Sequence, residues 1–105
     1  MTLGQIMQHN VRQARALVPA GIETLSEYQQ LLWKETSVRT ALFIAQETVE
    51  RQPGVIKHDD WLEASRILGE LNEEFDTAHA MVEAYFEFYP EHVGEDLEQP
   101  QALSA

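Results

Sequence analysis

The sequence predicts an all-α protein, a long antiparallel helical hairpin preceded by a short helix. Along two long segments, apolar residues recur at alternating spacings of three and four, which is typical of amphipathic helices. Only a short stretch around Pro53-Gly54 separates these segments, and so short a connection forces neighbouring helices to run antiparallel. The chain has 105 residues, 44% of them hydrophobic, and no cysteine. We therefore expect one globular domain over residues 1–90, without disulfide bonds.

The first helix is predicted over residues 2–18. Thr2 and Gln5 have the spacing of a capping box, in which each side chain bonds to the other residue's backbone amide. Pro19 and Gly21 follow. They should end the helix, because proline disfavours helical backbone in the residue before it and glycine suits the turn.

The second helix is predicted over residues 24–52, with Thr24 and Glu27 as its capping box. Its apolar seam consists of Tyr28, Leu31, Glu35, Val38, Leu42, Ala45 and Val49. Glu35 is the one charged residue in this seam, and a buried carboxylate needs a partner. We expect Glu35 to pair with Arg39, four residues later on the helix, or to fix the register of the helices.

The third helix is predicted over residues 59–89, with Asp59 or Asp60 as its N-cap and Pro90 as its stop. Its apolar seam is Trp61, Ala64, Leu68, Leu71, Phe75, Ala78, Val82, Tyr85 and Tyr89, and a second apolar line beside it is Ile67, Met81 and Phe88. Residues 91–105 lack periodicity and contain glycine, proline and several acids. They are predicted to form a disordered acidic tail.

Three large apolar residues of the second helix lie away from its seam: Trp33, Phe43 and Ile44. The hairpin, which the short first helix covers only in part, cannot bury its seam, the second apolar line of the third helix and the Trp33–Ile44 line together. The surplus predicts contact with another chain, and a homodimer with a four-helix core is the first expectation. Large aromatic and aliphatic residues of this type also serve as anchors in protein interfaces.

The net charge of −11 is concentrated toward the C-terminus, where residues 53–105 carry thirteen acids against Lys57 and Arg66. Such a surface repels phosphate backbones, so we expect no direct binding to nucleic acid. A row of acids follows the outer face of the third helix, namely Glu63, Glu70, Glu73, Asp76, Glu83 and Glu87. This row suits a basic protein partner. By analogy of size and charge, it could belong to a phage-type inhibitor that presents an acidic face to a basic groove.

The N-terminal sequence lacks the charged start and apolar run of a signal peptide, and no apolar stretch is long enough to span a bilayer. We therefore expect a cytoplasmic protein with no membrane contact. The four histidines are scattered and show no zinc-binding spacing. The sequence thus favours a non-enzymatic adaptor or inhibitor without a cofactor.

An alternative interpretation rests on two carboxylate pairs, Glu47-x-x-Glu50 and Glu73-x-x-Asp76. Each pair lies one turn apart on a helix face, and two facing pairs could hold Mg²⁺ through oxygen ligands. Together with the stretch at residues 25–29, these pairs resemble the MazG-like all-α nucleotide pyrophosphohydrolases. The resemblance covers roughly residues 24–88 and implies a Mg²⁺-dependent enzyme with those four carboxylates as catalytic residues.

The sequence departs from that family at Gln46, where a further acid is usual. Heptad positions also place all four carboxylates away from the seams. A second metal hypothesis combines Glu35 with Asp76 and His79 across the hairpin, a set similar to the ligands of ferritin-like di-iron bundles. The alternative for His79 is a surface pair with Glu83, four residues later.

Overall fold

The computed structural model describes residues 1–100, and within that range the chain is all-helical with no β-strand. Its α-helices are α1 (Leu3–Arg15), α2 (Glu27–Glu50) and α3 (His58–Phe88), and its 3-10 turns are Ile22–Thr24 and Pro90–His92. The prediction of an all-α fold is confirmed. Among these residues, no helix combines the length and the apolar character that a membrane crossing requires.

The N-terminus of α1 has the predicted capping box. The Gln5 amide donates to Thr2 Oγ1 over 3.2 Å, and the Thr2 amide donates to Gln5 Oε1 over 2.9 Å. Arg12 and Arg15 lie in the last turn, where positive charge favours the helix dipole. The helix ends at Arg15, three residues before the predicted end, and Gly21 then turns the chain with a φ of 85°.

The other two predicted caps were wrong. Ser26 caps α2 by accepting the Gln29 amide, whereas Thr24 belongs to the preceding 3-10 turn and donates its hydroxyl to the Gly21 carbonyl. This turn uses Thr24, which the capping-box pattern had assigned to the helix, whereas Glu27 of the same pattern is the first residue of α2. α3 begins at His58 without a side-chain cap, so Asp59 and Asp60 lie inside its first turn. There their negative charges interact favourably with the helix dipole, but their side chains do not cap the helix.

The main core lies where α1 packs across α2 and α3. The members of this core are Leu3, Met7, Val11 and Ala14 of α1, Ala41 and Ala45 of α2, and Ala64, Ile67 and Leu71 of α3. Ala41, Ala45 and Ala64 are completely buried. Because alanine has only a methyl group, it lets a neighbouring helix approach closely. The larger side chains of α1 fill the remaining space.

A second cluster forms between the beginning of α2 and the end of α3. Tyr28 is 1% exposed, and its ring lies 5.3 Å from the rings of both Tyr85 and Phe86. His92, in the last 3-10 turn, stacks on Tyr28 at 5.1 Å. Aromatic contacts at this spacing add stabilisation beyond the burial of area.

The predicted seam of α3 is buried in its middle and exposed at its ends. Ala64, Leu71 and Val82 are buried, whereas Trp61 is 48% and Tyr89 47% exposed. α3 has 31 residues and α2 has 24, so α3 is the longer of the two paired helices. Ile67, from the second apolar line, is buried in the core that α1 forms.

The segment after α3 returns along α2. Gln29 is 1% exposed; its Nε2 donates to the Asp96 carbonyl over 2.9 Å, and its Oε1 accepts the Glu98 amide over 2.8 Å. Trp33 Nε1 donates to the Glu98 carbonyl over 2.7 Å. The sequence had predicted disorder from residue 91, but these bonds attach residues 96–98 to α2. Residues 101–105, the rest of the predicted tail, lie outside the described residues.

The two methionines Met7 and Met81 provide a matched test of this core. Met7 is 0% exposed, and Met7→Ala should lower the free energy of unfolding by about 2–5 kcal/mol through lost contacts and a residual cavity. Met81 is 43% exposed, and Met81→Ala should cost less than about 1 kcal/mol. Urea unfolding followed by circular dichroism measures both. Equal losses for the two variants would contradict the placement of α1.

Candidate functional site

Of the six acids predicted to form a row on α3, Glu63 is half-buried and the other five are exposed. Two of them form ion pairs within the helix, Glu70 with Arg66 at 2.9 Å and Glu83 with His79 at 3.0 Å. Glu73 and Glu87 make no ion pair with any residue in the range 1–100. This part of α3 therefore presents carboxylates that neighbouring cations do not neutralise.

The predicted apolar anchors have different surroundings. Trp33 is half-buried, and its indole nitrogen bonds to the returning C-terminal segment. Ile44 packs against the main core. Phe43 is 60% exposed. Of the three, Phe43 therefore presents the most free apolar surface.

The four carboxylates of the pyrophosphohydrolase hypothesis are not gathered at one place. Glu47 bonds to Arg51 over 2.8 Å on α2, whereas Glu50, Glu73 and Asp76 are exposed. Within residues 1–100, no group of three or more histidine, aspartate or glutamate side chains is arranged to hold a metal ion.

The register of α2 and α3 explains this separation. Arg39 lies over the Phe75 ring, 5.6 Å from its centroid, so the turn of α3 that carries Glu73 and Asp76 is level with Arg39. Glu47 is two turns further along α2, a distance of about 12 Å at ~1.5 Å per residue. The two pairs are therefore offset along the helix axes.

A connected group of polar side chains surrounds Glu35. This residue is 7% exposed; its Oε1 accepts from Arg39 over 2.8 Å, and its Oε2 lies 2.9 Å from His79 Nδ1. The other ring nitrogen of His79 lies 3.0 Å from Glu83 Oε1, and the ring stacks on Phe75 at 5.8 Å. The predicted pairs of Glu35 with Arg39 and of His79 with Glu83 are both present.

Hydrogen bonding to Glu35 raises the pKa of His79 above its ordinary value of 6.5, against the opposing effect of desolvation, and the negative charges of Glu83 and Glu35 raise it further. The protonated imidazole can donate from both nitrogens to the two carboxylates. Asp76 is exposed and makes none of these bonds. The cluster thus joins α2 to α3 through paired charges, and Asp76 does not complete the proposed di-iron set.

Sequence reasoning missed two long-range contacts. Arg15 at the end of α1 forms a bidentate pair with Glu74 of α3, at 2.8 and 2.6 Å. The hydrogen bond from Arg15 lowers the pKa of Glu74, and the charges of Arg15 and Lys34 lower it further. The other contact is the pair of hydrogen bonds between the Gln29 side chain and the backbone of Asp96 and Glu98. Neither contact has a local sequence signal, because Arg15 and Glu74 lie 59 residues apart and Gln29 lies 67 residues from Asp96 and 69 from Glu98.

Two open clefts lie on either side of the Arg15–Glu74 pair. One, of about 350 Å³, lies between α1 and α3 over Val11 and Leu71; the other, of about 320 Å³, lies beside Trp33. Neither is lined by a histidine or cysteine. We see no nucleophile paired with a general base in either cleft.

Comparisons with models of known protein families, with curated proteins and with solved structures find no match to this chain. The likeness to the MazG-like enzymes therefore rests on the quoted sequence patterns alone.

The Glu35 cluster predicts a pH-dependent contribution to stability. Because the fold raises the pKa of His79, the contribution should be complete below about pH 6.5 and should disappear as pH rises through the folded value. The loss in unfolding free energy caused by His79→Gln should thus be larger at about pH 5.5 than at about pH 8.5. Urea unfolding of both proteins at the two pH values measures this difference.

The matched control is His9→Gln, which removes an exposed histidine of α1 outside the cluster. The same pH dependence in both variants would show that the effect comes from general charge and not from the bond to Glu35.

Proposed function

We propose that this chain is a non-enzymatic interaction protein, an adaptor or inhibitor that engages a basic surface of a protein partner. The observation that supports it most is the charge distribution: ten acids and no lysine or arginine follow Arg66 in the sequence. Glu73 and Glu87 are exposed members of this set on one rigid helix. A surface of one sign steers an oppositely charged partner and repels nucleic acid.

The proposed framework is an antiparallel hairpin of α2 and α3, braced by α1. Contacts between Tyr28 and Tyr85 and between Glu35 and His79 support this arrangement. A rigid helical platform holds its charges at fixed spacing, which reduces the entropy lost on binding. An acidic inhibitor that occupies a basic groove of its target, as phage-type inhibitors do, is one form of this function.

Homodimerisation remains a prediction. The sequence argument for a dimer is its surplus of apolar surface. Ile67 and Ile44 contact the core within the chain, so this surplus is smaller than the sequence suggests. The remaining exposed apolar side chains include Phe43, Met81 and Phe88. Cytoplasmic localisation likewise remains a prediction.

Removing the unpaired acids should weaken capture of the partner. A triple variant with Glu73→Gln, Asp76→Asn and Glu87→Gln removes three exposed charges from α3. The tagged protein is incubated at low salt with an extract of the cells whose genome encodes it, and it should retain a basic protein. The triple variant should retain at least about tenfold less of that basic protein. Quantitative mass spectrometry of the retained proteins provides the measurement.

The control variant removes three exposed acids outside the stretch from Glu73 to Glu87, through Glu23→Gln, Glu50→Gln and Asp59→Asn, the last in the first turn of α3. Equal loss in both variants would mean that total charge matters and that the stretch from Glu73 to Glu87 has no special role. Absence of any retained basic protein would contradict the proposed function.

The pyrophosphohydrolase hypothesis has a direct test of its own. Because the four carboxylates are separated, the protein incubated with Mg²⁺ and a panel of nucleoside triphosphates should release no more pyrophosphate than its Glu73→Gln variant. A coupled pyrophosphate assay measures this. Release that depends on both Mg²⁺ and Glu73 would establish the enzyme and overturn the proposed function.

A further inference from the structure

One line of α3 is covered in its first half and bare in its second. Ile67, Glu74, Met81 and Phe88 are seven residues apart and therefore lie on one slowly turning line of the helix. Ile67 is buried in the core with α1, and Glu74 is bound by Arg15 at the C-terminal end of α1. Beyond that point Met81 is 43% and Phe88 is 78% exposed. The apolar line therefore continues beyond the C-terminal end of α1, where α1 no longer covers it.

Aromatic rings adjoin this exposed half. Tyr85, half-buried where its ring stacks on Tyr28, lies one turn from both Met81 and Phe88, and its ring contacts that of Tyr89 at 4.7 Å between centroids. Tyr89 is itself 47% exposed. We refer to Met81, Tyr85, Phe88 and Tyr89 as the terminal surface of α3. Met and aromatic side chains are the residues that protein interfaces favour.

Acids surround the terminal surface. The His92 ring lies 5.6 Å from the Tyr85 ring between centroids, and Glu95 pairs with His92, so Glu95 lies close to this surface. Burial raises the pKa of the Tyr85 hydroxyl, and the negative charges of Glu27, Glu91 and Glu95 raise it further. Glu87 and Glu91 are exposed close to Phe88 in the sequence. No lysine or arginine follows Arg66. The surface is therefore apolar at its centre and negative at its rim.

The molecule itself shows what such a line accepts. α1 is an amphipathic helix without any acid, and its buried residues are Leu3, Gly4, Met7, Val11 and Ala14. Arg12 and Arg15 are its basic residues, and Arg15 neutralises Glu74 on α3. A helix with an apolar face and arginines at its edge thus covers the first half of the line.

We propose that the terminal surface of α3 docks an amphipathic basic helix of the partner protein, in continuation of the track that α1 occupies. The apolar face of that helix packs on Met81 and Phe88, and its lysines or arginines meet Glu87 and Glu91. Charge complementarity favours this occupant over a second copy of the chain, since each copy carries −11 and its acids would meet like charge. The inference rests on the proposed function and specifies its docking surface.

Designed peptides of about 15 residues, long enough for four helical turns at ~3.6 residues each, test the inference with a defined probe. One peptide carries leucines at helical spacing with lysines on the opposite face; the second has the same composition in shuffled order; the third has glutamates in place of the lysines. Fluorescence anisotropy of labelled peptides measures binding to the full chain. The leucine–lysine helix should bind at least about tenfold more tightly than either comparison peptide.

Methyl NMR identifies the surface that binds. The chain has three methionines, so a protein labelled at the methionine methyl groups gives three signals. The Met81 signal should shift on addition of the peptide, while that of the buried Met7 should not. The double variant Met81→Gln and Phe88→Gln should bind about tenfold less or worse, since central apolar anchors dominate interface affinity. Leu62→Gln, at a 55% exposed position of the same helix, should bind as the unmodified chain does.

Several outcomes would overturn the inference. They are equal binding of all three peptides, unchanged binding by the double variant, or a Met81 signal that moves with protein concentration in the absence of peptide, which would indicate a second copy. Circular dichroism establishes that the double variant is folded. If the peptides do not bind the terminal surface, the proposed capture of a basic protein by the other α3 acids still stands. If the peptide binds but no basic protein is captured from extract, the proposed function is rejected and the terminal surface remains a docking surface.

Discussion

The packing of α1 across α2 and α3 is the contact on which the rest of the structure depends. Without α1, the helices α2 and α3 would bury only the face on which they meet. A chain of 105 residues has a small core, so this one face would stabilise the fold weakly. Met7 of α1 fills the space that the fully buried Ala41, Ala45 and Ala64 leave open. Arg15 then fixes the end of α1 to Glu74. With α1 in place, α2 and α3 form a platform rigid enough to present side chains on their outer faces.

The same packing accounts for the location of the free surface. α1 has 13 residues and α3 has 31, so α1 cannot reach the C-terminal turns of α3. Those turns are also the ones without a nearby lysine or arginine in sequence. An exposed apolar line with an acidic rim is a liability for a free protein, since it invites association. Under the proposed function, the negative rim favours a positively charged surface, and this connects the geometry of the fold to the proposed partner.

Sequence patterns predicted what local chemistry determines. The 3-4 spacing identified the two long helices, and the Thr2–Gln5 box located the beginning of α1. The expected partner of Glu35 was found at Arg39 because both residues lie on one helix. The Thr24 cap failed because the Thr24 hydroxyl donates to the Gly21 carbonyl in the 3-10 turn, whereas Ser26, two residues later, accepts the Gln29 amide.

Contacts between distant segments could not be read from the sequence. The hydrogen bonds of Gln29 depend on the path of the C-terminal segment, and the Arg15–Glu74 pair depends on where α1 lies along α3. No local pattern encodes either arrangement. The candidate surface was predicted in part: the acids of α3 and its second apolar line were both visible as periodic patterns. Which half of that line would be covered depended on the length of α1 and its position along α3.

Hydrogen–deuterium exchange of the chain, alone and bound to its captured partner, shows which surface the partner covers. If the terminal surface of α3 is the docking surface, added protection is concentrated in the C-terminal half of α3, around Met81 and Phe88, with little change in α1. Protection concentrated instead on α2 around Glu47, or unchanged exchange throughout the chain in a verified complex, would contradict it.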